Sequence, residues 1–130
     1  MDATKPDNQS TLSQIESLLH ELRASLLIDS SSHNEISQEM SELERSEIIT
    51  ASLYLHQGKY AYAVSPMVNG RRCRRYIGSD TTKILAAEAA IARGIRYQEL
   101  TQRKKIIEHR IAGFSEDLES VLRRHRERAG

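Results

Sequence analysis

Gln57-Gly58, Lys59-Tyr-Ala-Tyr-Ala-Val64, Asn69-Gly70 and Arg71-Arg-Cys-Arg-Arg-Tyr-Ile77 follow one another in mid-chain, and their reading decides the fold. Residues 59–64 alternate aromatic or long with small side chains, the period-two signature of a strand with two unlike faces. Asn-Gly accepts the positive φ that a type I′ hairpin turn needs at both central positions, and Gln57-Gly58 reads as a second tight turn. Upstream, Ile48-Ile-Thr-Ala-Ser-Leu-Tyr-Leu55 is rich in β-branched residues and lacks helical polarity. The prediction is a three-stranded antiparallel meander at about 49–56, 59–65 and 71–77, closed by Gly78. The first of these strands has an alternative reading as an extension of the preceding helix.

Downstream, Asp80 or Thr81 caps a long helix over 81–128. Ile84, Ile91, Ile95, Leu100, Ile107 and Ile111 belong to its apolar side, and Gly113 with Ser115 marks a candidate break. Gly94 is a weak point, costing up to ~1 kcal/mol relative to Ala. Upstream, residues 1–12 read as a disordered lead, and Ser13 with Glu16 forms a capping box. Ile15, Leu18, Leu19, Leu22 and Leu26 then recur at helical spacing. Asp29-Ser-Ser-Ser-His-Asn34 reads as a turn, and Ile36, Met40 and Leu43 carry a second helix to about Arg45. The expected fold is α+β and helix-dominated: an N-terminal helical hairpin (13–46), a basic β-meander (48–78) and a long C-terminal helix, in one domain over 13–130. A helix of about 30 residues is ~45 Å long, so it needs partners, from the N-terminal helices or from a second chain.

Composition agrees with long helices around a modest core: 28% of the 130 residues are charged and 38% hydrophobic, with no Trp, one Phe and five Tyr. No apolar run approaches the ~20 residues that span a bilayer. The polar start MDATKPDNQS has no hydrophobic segment of a signal peptide. Cys73 is the only cysteine, which suits a reducing compartment, and the expected location is cytoplasmic. The net charge of +1 conceals a polarity. Residues 1–56 hold three Lys/Arg against ten Asp/Glu, whereas residues 57–113 hold twelve against four. Such asymmetry accompanies either an anionic partner or the folding of acidic helices against a basic segment.

The arginine strand is the candidate site. Alternation groups Arg72, Arg74 and Tyr76 on one face and Arg71, Cys73, Arg75 and Ile77 on the other, so Cys73 is expected to be at least partly covered. Tyr60 and Tyr62 share a face of the preceding strand, which Lys59 opens. Tyrosines interleaved with cations on a small sheet can stack on bases and pair with phosphates, which predicts nucleic-acid binding by Arg71, Arg72, Arg74, Arg75, Lys59, Tyr60, Tyr62 and Tyr76. The competing reading is an edge strand kept charged against aggregation, with the tyrosines packed under the long helix. Arg96, Arg103 and Arg110 recur every seven residues, either extending an anion track or pairing with the acidic helices.

Leu53-Tyr-Leu-His-Gln-Gly-Lys-Tyr-Ala-Tyr62, Val68-Asn-Gly-Arg-Arg-Cys-Arg-Arg-Tyr-Ile-Gly78 and the Ala-rich helix from Thr81 resemble the arm-type DNA-binding domain of phage and transposon integrases. They also resemble small coiled-coil-plus-meander proteins of mobile elements. The likeness covers about residues 50–97 and implies a sheet placed in the major groove of DNA, with the arginines of the third strand and Lys59, Tyr60 and Tyr62 as contacts. The chain departs from that family in having no recombinase catalytic domain downstream and in placing acidic helices before the meander.

No enzyme class is indicated. The five histidines have no ligand spacing with Cys73 or with one another, and there is no Gly-rich phosphate loop, nucleophile elbow or zinc motif. Glu42, Glu44 and Glu47 read as a solvated helix face. No cofactor is expected. The functional expectation is a small DNA-binding accessory protein, preferring DNA to RNA and self-associating through its helices. Alternatives are a coiled-coil adaptor or small subunit of a larger assembly, and a phage- or plasmid-encoded inhibitor that imitates nucleic acid through residues 35–47.

Overall fold

The computed structural model describes residues 8–66 and 69–129. The fold is α+β and helix-dominated: α1 (Asn8–Leu43), β1 (Ser52–His56), β2 (Tyr60–Val64), β3 (Arg74–Gly78) and α2 (Thr81–Ala129). Two compact units divide the chain, one of Met1–Glu35 with Ile106–Gly130 and one of Ile36–Lys105. Among the described residues no helix is long and apolar enough to cross a membrane.

Within the second unit the three strands form one antiparallel sheet in the order β1-β2-β3. Its first turn works as the dipeptide suggests. Gln57 and Gly58 both take positive φ, at 56° and 67°, and the Lys59 N–H donates to the His56 carbonyl at 3.1 Å. Asn69 and Gly70 likewise take φ of 52° and 74°. The segment from Ser52 to His56 is a strand, which resolves the ambiguity at the end of α1. The third strand is shorter than expected. Arg71 makes an isolated bridge, and regular pairing resumes only at Arg74. Between them the Ser65 N–H donates to the Cys73 carbonyl and the Cys73 N–H to Ser65 Oγ, both at 2.9 Å. Ala61 pairs with Gly78 and Tyr62 with Tyr76, so Ile77 is an extra residue, a β-bulge.

One face of the sheet is closed along its central strand. Ala61 and Ala63 are fully buried, while Tyr60, Tyr62 and Val64 on the opposite side of β2 are only half-buried. Asp80 starts α2 by accepting the Thr82 N–H on Oδ1 at 2.9 Å, an N-cap. Ala87, Ala90 and Gly94, all buried, then form a small-residue strip along the helix. The chain leading into β1 lies on that strip: the Ile49 N–H donates to the Ala90 carbonyl at 3.1 Å, and Arg93 Nε to the Glu47 carbonyl at 2.9 Å. A Cβ at Gly94 would run into the Ile49 carbonyl. The glycine that looks like a weak point in the helix is therefore the site of a close backbone approach. Met40 and Leu100 complete this unit's core.

Two expectations about the helices are corrected. α1 already includes Asn8, because residues 8–12 contain no Gly or Pro and the helix winds back past the Ser13 capping box, while residues 1–7 of the expected disordered lead lie outside the described residues. More consequentially, α1 continues unbroken through residues 29–34, so there is no N-terminal helical hairpin. Leu22, Leu26, Asp29, His33, Ile36, Met40 and Leu43, spaced alternately by four and three, are among the covered positions on α1. Asp29 and His33 thus occupy seam positions. In the first unit Asp29 is 7% exposed and accepts from Arg110 at 2.9 Å, and His33 Nε2 lies 3.0 Å from Glu108 Oε1. Those tertiary partners override the local turn preference of Asp, Ser and Asn. α2 likewise runs through Gly113 without a break.

Candidate nucleic-acid interface

The open face of the sheet is built by register. Tyr54 stands opposite Tyr62, and Tyr62 opposite Tyr76, so three tyrosines form one rung across all three strands. The Tyr62 and Tyr76 rings are 5.3 Å apart at a 58° tilt, and His56 meets Tyr62 edge-on at 6.4 Å. Both spacings lie in the range of favourable aromatic pairs. Tyr54 and Tyr76 remain 57% and 59% exposed, although rings of this size are usually covered. Tyr54, His56, Tyr62, Val64, Arg72 and Arg74, together with Leu55 of β1, line a concavity of about 480 Å³.

The cations divide into two groups. Arg74, opposite Val64, and Arg72, in the connection before β3, flank the tyrosine rung. Among the described residues neither they nor Arg71 make an ion pair. Arg75 is different. It stands opposite buried Ala63, and its guanidinium donates to Glu47 Oε1 at 2.8 Å. The predicted set of four arginines is therefore split by the pleat, with Arg75 tied to an acid. Lys59 stands at the hairpin tip with its ammonium 5.9 Å from the centre of the Tyr60 ring. Tyr60 follows on the same face as Tyr62 and is half-buried. Cys73 is exposed, not covered, because it precedes the paired part of β3.

Two arginines of the seven-residue series on α2, Arg96 and Arg110, are paired within the chain. In the second unit Arg96 grips Glu39 with two bonds, Nε to Oε1 at 2.8 Å and Nη2 to Oε2 at 3.0 Å. Those hydrogen bonds hold the Glu39 carboxyl below the usual carboxylate range, against the opposing effect of partial burial. The same bonds push Arg96 further up. Tyr97 donates to Glu44 Oε1 at 2.6 Å, and that bond, assisted by burial, raises its phenol above the ordinary value. In the first unit Arg110 is held by Asp29. Glu44 and Glu47, which read as solvated in sequence, have a phenolic and a basic partner, and so Glu39 is not the only acid of this stretch that is engaged.

Tyr54 and His56 belong to the open face and were absent from the predicted site. The signal for them was present, since counting outward from the Gln57-Gly58 turn pairs Tyr54 with Tyr62. No protein-family model, curated protein or solved structure matches this chain.

Proposed function

We propose that this chain is a nucleic-acid-binding accessory protein without catalytic activity, acting on DNA in preference to RNA through the open face of its sheet. The observation that carries the reading is the Tyr54–Tyr62–Tyr76 rung, its two outer rings exposed, flanked by Arg72 and Arg74. Apolar rings left open beside unpaired guanidiniums present what a nucleotide offers partners for: a flat base and a phosphate. The opposite sheet face buries Ala61 and Ala63, so the tyrosines are not what packs against the rest of the fold. A titration of the protein on DNA and RNA at two salt concentrations tests the reading. With about four phosphates engaged, log K falls with log salt at a slope between about −3 and −4. Replacing Arg72 and Arg74 by Ala makes the slope shallower by about 1.5 to 2. The control, Arg123→Ala with Arg124→Ala, leaves it unchanged. No binding to any DNA or RNA at low salt disproves the reading.

A second reading, self-association, rests on the first unit. Leu12, Ile15, Leu18 and Leu19 on α1, with Leu118, Val121 and Leu122 on α2, stay exposed although they continue the helices' apolar spacing. Apolar helix stripes of this kind are self-complementary, and a second copy covers them most simply. A monomer mass that does not change with concentration, by light scattering at tens of micromolar, removes this idea. The inhibitor reading has no such support, because Glu39, Glu44 and Glu47 are already engaged within the chain.

A further inference from the structure

We infer that the open face holds unpaired bases, so that the ligand is a single strand, not the groove of a duplex; this rests on the nucleic-acid reading above. Two features of the sheet separate the possibilities.

The first is the kind of surface offered. Tyr54, Tyr62 and Tyr76 share one rung of the register, with the Tyr62 and Tyr76 rings 5.3 Å apart and His56 edge-on to Tyr62. Inside a duplex the flat faces of the bases are stacked on one another, and the grooves show only their polar edges and the thymine methyl. An aromatic rung laid in a groove would forgo its best interaction. A base released from the stack presents its π face, and stacking it on a protein ring is worth ~1–3 kcal/mol by alanine substitution. The concavity of about 480 Å³ lined by Tyr54 and Tyr62 of this rung, with Arg72 and Arg74, falls in the size range of small-molecule sites.

The second is where the charge lies. A groove is walled by phosphates on both sides, so a sheet lying in it needs cations along both edges. Here Arg74 stands on β3 with Arg72 just before it, β1 contains no Lys or Arg at all, and Lys59 is confined to the hairpin tip beside Tyr60. Arg75, which could have widened the basic edge, points away to Glu47. One row of cations beside one row of rings matches a ligand with one backbone. The sheet thus places phosphates over Arg72 and Arg74 and bases over Tyr54, Tyr62 and Tyr76.

The assay follows from the composition. The chain has no Trp, and four of its five tyrosines (54, 60, 62 and 76) are on the sheet, so intrinsic fluorescence reports this face directly. The probes are oligothymidine of about 12 nucleotides, a length within the range one such surface covers, the matching oligouridine, and the same oligothymidine annealed to its complement. The expected result is that a single strand binds at least ~10-fold tighter than the duplex and quenches tyrosine emission. Tyr54→Thr and Tyr76→Thr, chosen because both rings are exposed and Thr suits a strand, each weaken single-strand binding by roughly 5- to 150-fold and leave duplex binding unchanged. Equal or tighter binding of the duplex overturns the inference while leaving nucleic-acid binding intact, as does single-strand binding without quenching. No binding of any probe removes both. Should the variants fail to fold, the wild-type preference and its quenching decide the matter.

Discussion

Replacing Gly94 by Ala sets local propensity against tertiary contact, and the two predict opposite signs. In an isolated helix the change would stabilise by up to about 1 kcal/mol. In this fold the added methyl runs into the Ile49 carbonyl, a backbone atom that cannot swing aside as a side-chain tip would. The lead into β1 must lift from α2. Lifting it lengthens the Ile49 N–H bond to the Ala90 carbonyl, worth about 1 kcal/mol net. It also uncovers part of Ile48 and Ile49, both half-buried, for roughly another 1–2 kcal/mol together. Set against the propensity gain, Gly94→Ala is expected to destabilise by about 1–2 kcal/mol. Gly113→Ala is the matched control, since it lies in the same helix with nothing within 4 Å of its added Cβ. It should stabilise by up to about 1 kcal/mol. Urea unfolding followed by far-ultraviolet circular dichroism measures both. Stabilisation of similar size by the two substitutions would refute the close approach of residues 48–49 to α2.

Acid and alkali should each weaken the Glu39, Glu44, Arg96 and Tyr97 contacts, in opposite senses. Glu39 titrates lower when folded, so its contribution is complete above the usual carboxylate pKa of about 4.3 and is lost as the pH falls through the folded value. Tyr97 titrates higher when folded, so its contribution is complete below about pH 10 and is lost as the pH rises through the folded value. Denaturation profiles of Glu39→Gln and Tyr97→Phe should be flatter than wild type on the acid and alkaline sides respectively. In the first unit, Arg110→Met should destabilise by roughly 1–3 kcal/mol, because it strands Asp29, which is buried and already has one oxygen, Oδ2, without a partner. Asp29→Leu should instead be neutral or stabilising, since it continues the apolar spacing of α1; thermal melts separate the two. Cys73, exposed before β3, should react with a thiol reagent at the rate of an unfolded control, and slow labelling would mean that the connection is covered.

The parts of this molecule that depend on neighbours in sequence were determined by the sequence alone. The positive φ demanded by Gln57-Gly58 and Asn69-Gly70, the alternation of Tyr60 to Val64 and the Asp80 cap operate over a few residues, and the meander and the start of α2 follow from them. They also place Tyr62, Tyr76 and Arg74 on one face, because a strand has only two. Tertiary structure decided what depends on a partner far along the chain. Asp29 to Asn34 carry every local mark of a turn, but Arg110 and Glu108, about 75 to 81 residues away, hold Asp29 and His33 in a continuing helix. Arg75 is chemically the twin of Arg74. Alternation already puts the two on opposite faces, but only Glu47, 28 residues earlier, makes Arg75 the paired cation. Gly94 reads as a flaw until Ile49, 45 positions upstream, is laid across it. Local preferences amount to about 1 kcal/mol or less per residue, so the hydrogen bond that satisfies buried Asp29 and the backbone contact at Gly94, of similar or larger size, override them.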